Sequence, residues 1–256
     1  MSRLFDAHLH VVDPAFPLIA NDGYLPGPFP VTAYRRRVAG LDVRGGAVVS
    51  GSFQGFDQTY LIDALARLGP GFVGVTQLPE TVTDAEIIRL DAAGVRAVRF
   101  NVRRGGSAAL TALEPLARRV HDVAGWHAEL YLDARALPDL LPVLRRLPAV
   151  GIDHLGLHRD GLPHLLAAVE HGARVKATGF GRVDLDPAKA IAAILSVDPT
   201  ALMAGTDLPS TRARRPFVDT DLDLIDRAVG EEHRRAVRWD NAAAFYRLAD
   251  VTPGSA

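Results

Sequence analysis

Short runs of apolar and β-branched residues alternate along this chain with longer stretches whose apolar positions recur every three or four residues. The short runs predict strands over 4–11, 46–52, 72–78, 95–101, 127–133, 150–156, 173–179 and 202–208. The longer stretches predict helices over Thr59–Leu68, Asp84–Ala93, Ala109–Val123, Asp139–Leu147 and Pro187–Leu195, each with Leu, Ile, Val or Ala at i, i+3 and i+4. Strand starts advance by about 28 residues, the length of one strand–loop–helix–loop unit. Eight such units in 256 residues predict an α/β fold, a single (β/α)8 TIM barrel over 1–250 with a frayed tail at 251–256. An open doubly wound sheet is the rival, and the even spacing of eight strands favours the barrel. The first connection, Asp13–Arg44, carries Pro14, Pro17, Pro26, Pro28 and Pro30, and is expected to fold over the barrel mouth.

Composition narrows the function classes. With 29 basic and 30 acidic side chains the net charge is -1, so no global field draws the protein to nucleic acid or to an anionic membrane. Lys176 and Lys189 are its lysines; every other basic residue is arginine, a bias that suits either a GC-rich genome or carboxylate recognition. The absence of cysteine excludes disulfides, thiolate zinc sites and a thiol nucleophile. Met1-Ser2-Arg3 runs straight into the first strand without an apolar leader, and no stretch reaches the roughly 18 apolar residues of a spanning helix. The expectation is a soluble, cytoplasmic protein. Gly51-Ser52-Phe53-Gln54-Gly55 lacks nucleophile-elbow spacing, and Gly179-Phe180-Gly181 lacks the third glycine of a dinucleotide fingerprint.

In such a barrel the chemistry sits where strands end. Strand 1 ends in His8-Leu9-His10. Residues two apart on a strand point the same way, so both imidazoles are expected inside, with Asp6 deeper on that face. Arg99 and Asn101 share a face of strand 4, followed by Arg103 and Arg104 in the loop. Strand 5 delivers Tyr131 and Asp133, strand 6 Asp153 and His154. Strand 7 delivers Lys176 and Thr178, then Arg182, and strand 8 ends in Gly205-Thr206-Asp207. One strand histidine is ordinary core; His8, His10 and His154 converging with Asp207 are costly to bury without a purpose. The remaining histidines take the ordinary reading: His127 starts strand 5 and belongs to the opposite face, and His158 alone lies near enough to the mouth to matter. The arginine runs at 35–37, 214–215 and 234–235 read as solvated surface.

Asp6-Ala7-His8-Leu9-His10 with Gly205-Thr206-Asp207 resembles the amidohydrolase superfamily. Within it, the branch of 2-pyrone-4,6-dicarboxylate hydrolases and related lactonases is most similar. Gly94 to Asn101 resembles that branch's strand 4, Gly125-Trp126-His127 its strand 5, Ile152-Asp153-His154 its strand 6, and Lys176 to Arg182 its strand 7, with Thr178 where serine is usual. Gly55-Phe56-Asp57-Gln58 is similar to its G-x-D-N step, with Gln58 for asparagine. Asn241 to Tyr246 resembles its closing helix, with Ala242 for proline. Metal-dependent amidohydrolases place a histidine or a modified lysine at the ends of strands 4 and 5, where this chain has Arg99 and Tyr131. A binuclear centre is therefore not expected.

The resemblance implies a lactonase that opens the ester ring of a small carboxylated substrate without a cofactor. His8, His10 and His154 would polarise the carbonyl through ring N–H groups, and Asp207 would take a proton from water. Arg99, Arg103 and Arg182, with Ser52 and Tyr131, would hold the anionic groups. The competing reading of Arg99 is a salt bridge to Asp6 or Glu129, and Arg104 competes with Arg103. One alternative on the same scaffold is a hydrolase or decarboxylase with one zinc or manganese on His8, His10 and Asp207. A non-catalytic binding barrel is the weaker one.

Overall fold

Continuous apolar runs suit parallel strands that are covered on both faces. The computed structural model describes residues 3–248, so the tail at 251–256 lies outside the described residues. Its strands are β1 (Leu4–Leu9), β2 (Val43–Val49), β3 (Phe72–Thr76), β4 (Val95–Phe100), β5 (His127–Leu130), β6 (Val150–Ile152), β7 (Arg174–Ala177) and β8 (Leu202–Ala204). All pair in parallel in the order β1 to β8. The ring closes through a parallel bridge between Leu9 and Leu208, with the Asp207 N–H on the His8 carbonyl and the His10 N–H on the Leu208 carbonyl, both at 2.7 Å. This is the (β/α)8 barrel, and its seam joins the two segments that carry three of the four central residues.

The helices are α1 (Val31–Arg37), α2 (Thr59–Leu68), α3 (Asp84–Ala92), α4 (Leu113–Ala124), α5 (Leu137–Leu144), α6 (Leu162–Glu170), α7 (Pro187–Val197), α8 (Thr220–Arg235) and α9 (Asn241–Phe245). Thr83 caps α3 by accepting the Glu86 N–H, and Asp186 caps α7 by accepting from Ala188 and Lys189. No helix among the described residues is long and apolar enough to cross a membrane. The later strands end sooner than their apolar pattern predicts. After β6 the chain turns at once into a 3-10 turn, His154–Gly156, with His154 and Leu155 at φ of 53° and 51°. The residues that continue the apolar pattern are thereby turned into the loop at the mouth.

Between barrel and helices lies the larger apolar layer, which includes Leu4, Leu9, Val48, Leu61 and Ile191. Inside the barrel, Phe5, Ala7, Ala47, Val49, Val73, Val75, Ala97 and Met203 pack against Trp239, Ala242 and Tyr246 of the closing segment. Phe5 stacks on Tyr246 with ring centroids 5.3 Å apart. The alternation of β1 is interrupted by a register shift between Asp6 and Leu9. Phe5 and Ala7 point inward, His8 also points inward beyond the shift, and Asp6 points to the helix layer, where it accepts from Tyr34 of α1 at 3.0 Å. The expectation that Asp6 shares the inner face with His8 and His10 is corrected by this shift.

Candidate active site

Above the apolar plug the barrel interior turns polar. Lys176 of β7, fully buried, donates to Glu129 of β5 and lies 3.3 Å from Asp153. Arg99 of β4 gives Nη2 to Asp153 Oδ2 at 2.8 Å and Nη1 to the Ser50 carbonyl at 2.6 Å. The ion-pair partner of Arg99 is thus Asp153, not Asp6 or Glu129, because β4 and β6 aim these side chains across the same layer. Arg182, beyond β7, gives Nε to Asp207 Oδ2 at 2.8 Å. Lys176, Arg99 and Arg182 therefore balance Glu129, Asp153 and Asp207 in a buried set of six charges. Burial pushes Glu129 up, but the Lys176 ammonium and His127 outweigh it and leave the carboxyl at about 2. Asp153 lies well below the ordinary carboxylate range: burial opposes this, and Lys176, His8 and Arg99 bring it about.

Asp207 turns its other oxygen to the histidines. Its Oδ1 lies 3.9 Å from His8 Nε2, 3.8 Å from His10 Nε2 and 3.8 Å from His154 Nε2. Asp207 Oδ1 and His8 Nε2 are buried and have no hydrogen-bond partner among the described residues. Four polar atoms thus surround one small space. Asp207 and His154 reach it from left-handed backbone, at φ of 61° and 53°. Gly179, at φ of 63°, leaves the room: a Cβ there would stand 2.6 Å from His154 Nδ1 and 3.1 Å from Asp207 Oδ2.

The far ring nitrogens differ in what they meet. His10 Nδ1 lies 2.7 Å from the Val49 carbonyl, which only accepts, so this nitrogen carries the proton and Nε2 presents a lone pair. The expected role of His10 as a carbonyl donor fails on this point. His154 Nδ1 lies 2.8 Å from the Thr178 hydroxyl, which donates as readily as it accepts. His8 Nδ1 lies between Lys176 Nζ at 3.4 Å and Asp153 Oδ1 at 3.2 Å. His8 and His154 can therefore hold Nε2–H donors. Burial lowers the pKa of His8, and it drives His10 and His154 well below the ordinary range, where positive charge on His8 adds to the effect.

These shifts set a pH dependence of stability. His8, His10, His127 and His154 have lowered pKa values in the fold, so as pH falls through about 6.5 the unfolded chain binds protons that the native one refuses. Asp6 opposes them: burial raises it to about 6, so its contribution is present at low pH and lost as pH rises through that value. Four groups against one should lower Tm by more than about 5 °C between about pH 8 and pH 5. Calorimetry across that range checks this, and a flat or rising Tm contradicts it.

Over these atoms opens a narrow cavity of about 30 Å³ at the barrel mouth. Of the residues expected to bind substrate, Ser52, Arg99, Tyr131 and Arg182 line it. Arg103 does not; it is exposed, and Arg104 takes its place in the wall. Tyr131 sets its ring edge-on to His154 with centroids 5.3 Å apart, and the Arg99 guanidinium lies 5.5 Å from the Tyr131 ring centre. His158 stays outside, accepting the Asp160 N–H and facing Asp184. Asn21, Tyr24, Thr211 and Arg212 also line the mouth or bind its wall, and sequence reasoning missed them. They come from loops whose course only tertiary packing decides, and Arg212 stands just before a run of surface arginines.

The donor set also bears on a metal. His8, His154 and Asp207 offer ligand atoms within 4.8 Å of one another, so these residues fit a single divalent cation. A cation held there would act as a Lewis acid on a carbonyl or on water. Arg182 already donates to Asp207 Oδ2, and Arg99 and Lys176 place two more positive charges around Asp153 beside His8.

The amidohydrolase family model matches residues 5–248. The chain belongs to the amidohydrolase family. The chain is 30% identical to a 4-sulfomuconolactone hydrolase of Rhizobium radiobacter, over 94% of this chain and 89% of that one. It is 32% identical to a 2-pyrone-4,6-dicarboxylate hydrolase of Comamonas testosteroni over 59% of this chain, and that match spans 51% of the relative's length. Among solved structures, a protein of Agrobacterium tumefaciens superposes with a TM-score of 0.86 at 22% identity, covering 96% of both chains. A protein of Acinetobacter baumannii with citric acid bound superposes at 0.84 and 21% identity, covering 95% of this chain and 99% of that one.

Proposed function

We propose that this amidohydrolase opens the ring ester of a small lactone carrying anionic groups. The observation that carries this reading is the unpartnered Asp207 Oδ1 facing three imidazole Nε2 atoms at 3.8–3.9 Å under a wall of arginines. Water in that space donates one hydrogen to Asp207 Oδ1 and the other to the lone pair of His10 Nε2. Asp207 takes the first proton as water attacks the carbonyl carbon, while Nε2–H groups of His8 and His154 stabilise the oxyanion. The ring C–O bond then breaks, and the proton on Asp207 passes to the departing ring oxygen. Arg182, holding Oδ2, fixes the carboxylate with Oδ1 toward the water. Relatives named for 2-pyrone-4,6-dicarboxylate and 4-sulfomuconolactone support a lactone bearing carboxylate or sulfonate groups.

In this reading no metal is required, since the base is a free carboxylate and the electrophilic help comes from ring N–H groups. Elemental mass spectrometry of the purified protein, paired with turnover of an anionic lactone panel before and after chelator, tests it. The expected result is less than about 0.1 divalent cation per chain and unchanged turnover after chelation. About one zinc or manganese per chain, with turnover lost on chelation, would make His8, His154 and Asp207 ligands and direct the search to amides and carboxylic acids.

A further inference from the structure

The six inner charges cancel, so the charge available to an anionic substrate lies at the rim. Arg212 is the rim residue whose contacts say most. Its side chain is only 14% exposed, and its guanidinium lies 4.4 Å from the ring centre of Tyr24. The nearest carboxylate oxygen, on the 80% exposed Asp22, is 4.0 Å away. Its fork is filled instead by one residue: Nη1 donates to Asn21 Oδ1 at 3.1 Å, and Nη2 donates to the Asn21 backbone carbonyl. Two oxygens on one two-pronged donor is the arrangement in which a guanidinium takes a carboxylate, here made with neutral acceptors. The backbone of Arg212 is left-handed, at φ of 59°, a conformation that an arginine adopts only when its contacts hold it there.

Asn21 makes two further bonds across the mouth. Its Oδ1 also accepts from the Ser52 hydroxyl at 3.0 Å, and its Nδ2 donates to the Arg104 carbonyl at 3.2 Å. One side chain thus ties the loops after β1, β2, β4 and β8. Displacing that side chain would free two donors at once, the Ser52 O–H and the Arg212 Nη1–H, beside the reacting centre, and a shift of the Asn21 backbone would free Nη2 as well.

We propose that Arg212 is a specificity-determining residue that binds the substrate's outer carboxylate or sulfonate, and that Asn21 occupies this subsite until the substrate displaces it. This rests on the lactonase reading for its substrate class. A charged acceptor on a desolvated guanidinium bonds about twice as strongly as a neutral one, which lets the substrate win the exchange. A lactone with a single anionic group has no use for the subsite and leaves the latch closed.

The test uses the full chain with 4-sulfomuconolactone, its analogue lacking the sulfonate, and citrate as a non-reacting polycarboxylate titrated calorimetrically. Arg212→Met is expected to raise KM for the sulfonated lactone and Kd for citrate by about 10-fold or more, with kcat within about threefold. KM for the analogue should stay within about twofold. Arg212→Lys keeps the charge without the fork and should fall between wild type and Arg212→Met. Asn21→Ala removes the side-chain half of the competitor, leaving the backbone carbonyl on Nη2, and should tighten citrate. Equal effects of Arg212→Met on both lactones, unchanged citrate affinity in that variant, no citrate binding by the wild type, or weaker citrate binding in Asn21→Ala would each overturn the assignment. If the wild type turns over neither lactone, the lactonase reading fails while the citrate titrations still judge Arg212.

Discussion

Asp207→Asn is expected to lower kcat by a factor of about 10³ or more in a chain that still folds. The carboxylate does two things with two oxygens. Oδ2 accepts from Arg182, and Oδ1 faces the histidines without a partner. An asparagine of the same shape keeps its carbonyl on Arg182, because a guanidinium only donates. Its amide nitrogen then faces the space between the three Nε2 atoms. The base is lost, and a donor stands where water needs an acceptor, so the proton transfer fails while the backbone around β8 is unchanged. Steady-state kinetics on whichever anionic lactone the wild type turns over, with circular dichroism to verify folding, read the outcome. A folded variant with wild-type turnover would remove Asp207 from the role of base. A variant that loses KM but keeps kcat would move Asp207 from chemistry to binding.

The central constellation was legible in the sequence because strand ends fix it. His8, His10, His154 and Asp207 each follow a β-branched or apolar run, and the barrel's symmetry brings such positions together at one face. Two kinds of information were missing. One is register: a single shift in β1 separates Asp6 from His8, and an i, i+2 rule cannot see an irregular residue. The other is loop course. Arg103 and Arg104 are adjacent in sequence, and the turn after β4, where the Asn101 side chain accepts the Arg104 N–H at 3.0 Å, decides which enters the wall. Asn21 and Arg212 are 191 residues apart and meet only because both loops cross the same mouth. Roles were harder to read than positions. Nothing in the sequence says that His10 Nδ1 meets a carbonyl, yet that contact decides whether its other nitrogen donates or accepts.

The polar layer beneath the site should prove as costly to disturb as the site itself. Lys176→Met is expected to lower stability by about 3–5 kcal/mol, because it leaves Glu129 and Asp153 buried without their shared cation. Arg99 still serves Asp153, while Glu129 keeps only Tyr246 and His127. For a chain of this size the loss corresponds to roughly 6–20 °C in Tm. The sign of its pH dependence follows from Glu129. With Lys176 present its carboxyl is held at about 2; without it, burial acts unopposed by the ammonium and raises the pKa. The gap between variant and wild type should therefore narrow as pH falls and the carboxyl of the variant protonates. A double variant, Lys176→Met with Glu129→Gln, removes both charges of the pair and should recover much of the loss, giving a coupling of opposite sign to the single effects. Urea denaturation at about pH 8 and about pH 5 measures all three. A Lys176→Met chain within about 1 kcal/mol of wild type would mean that the buried pair contributes no more than an exposed one, and that the inner charges are held apart by water rather than by each other.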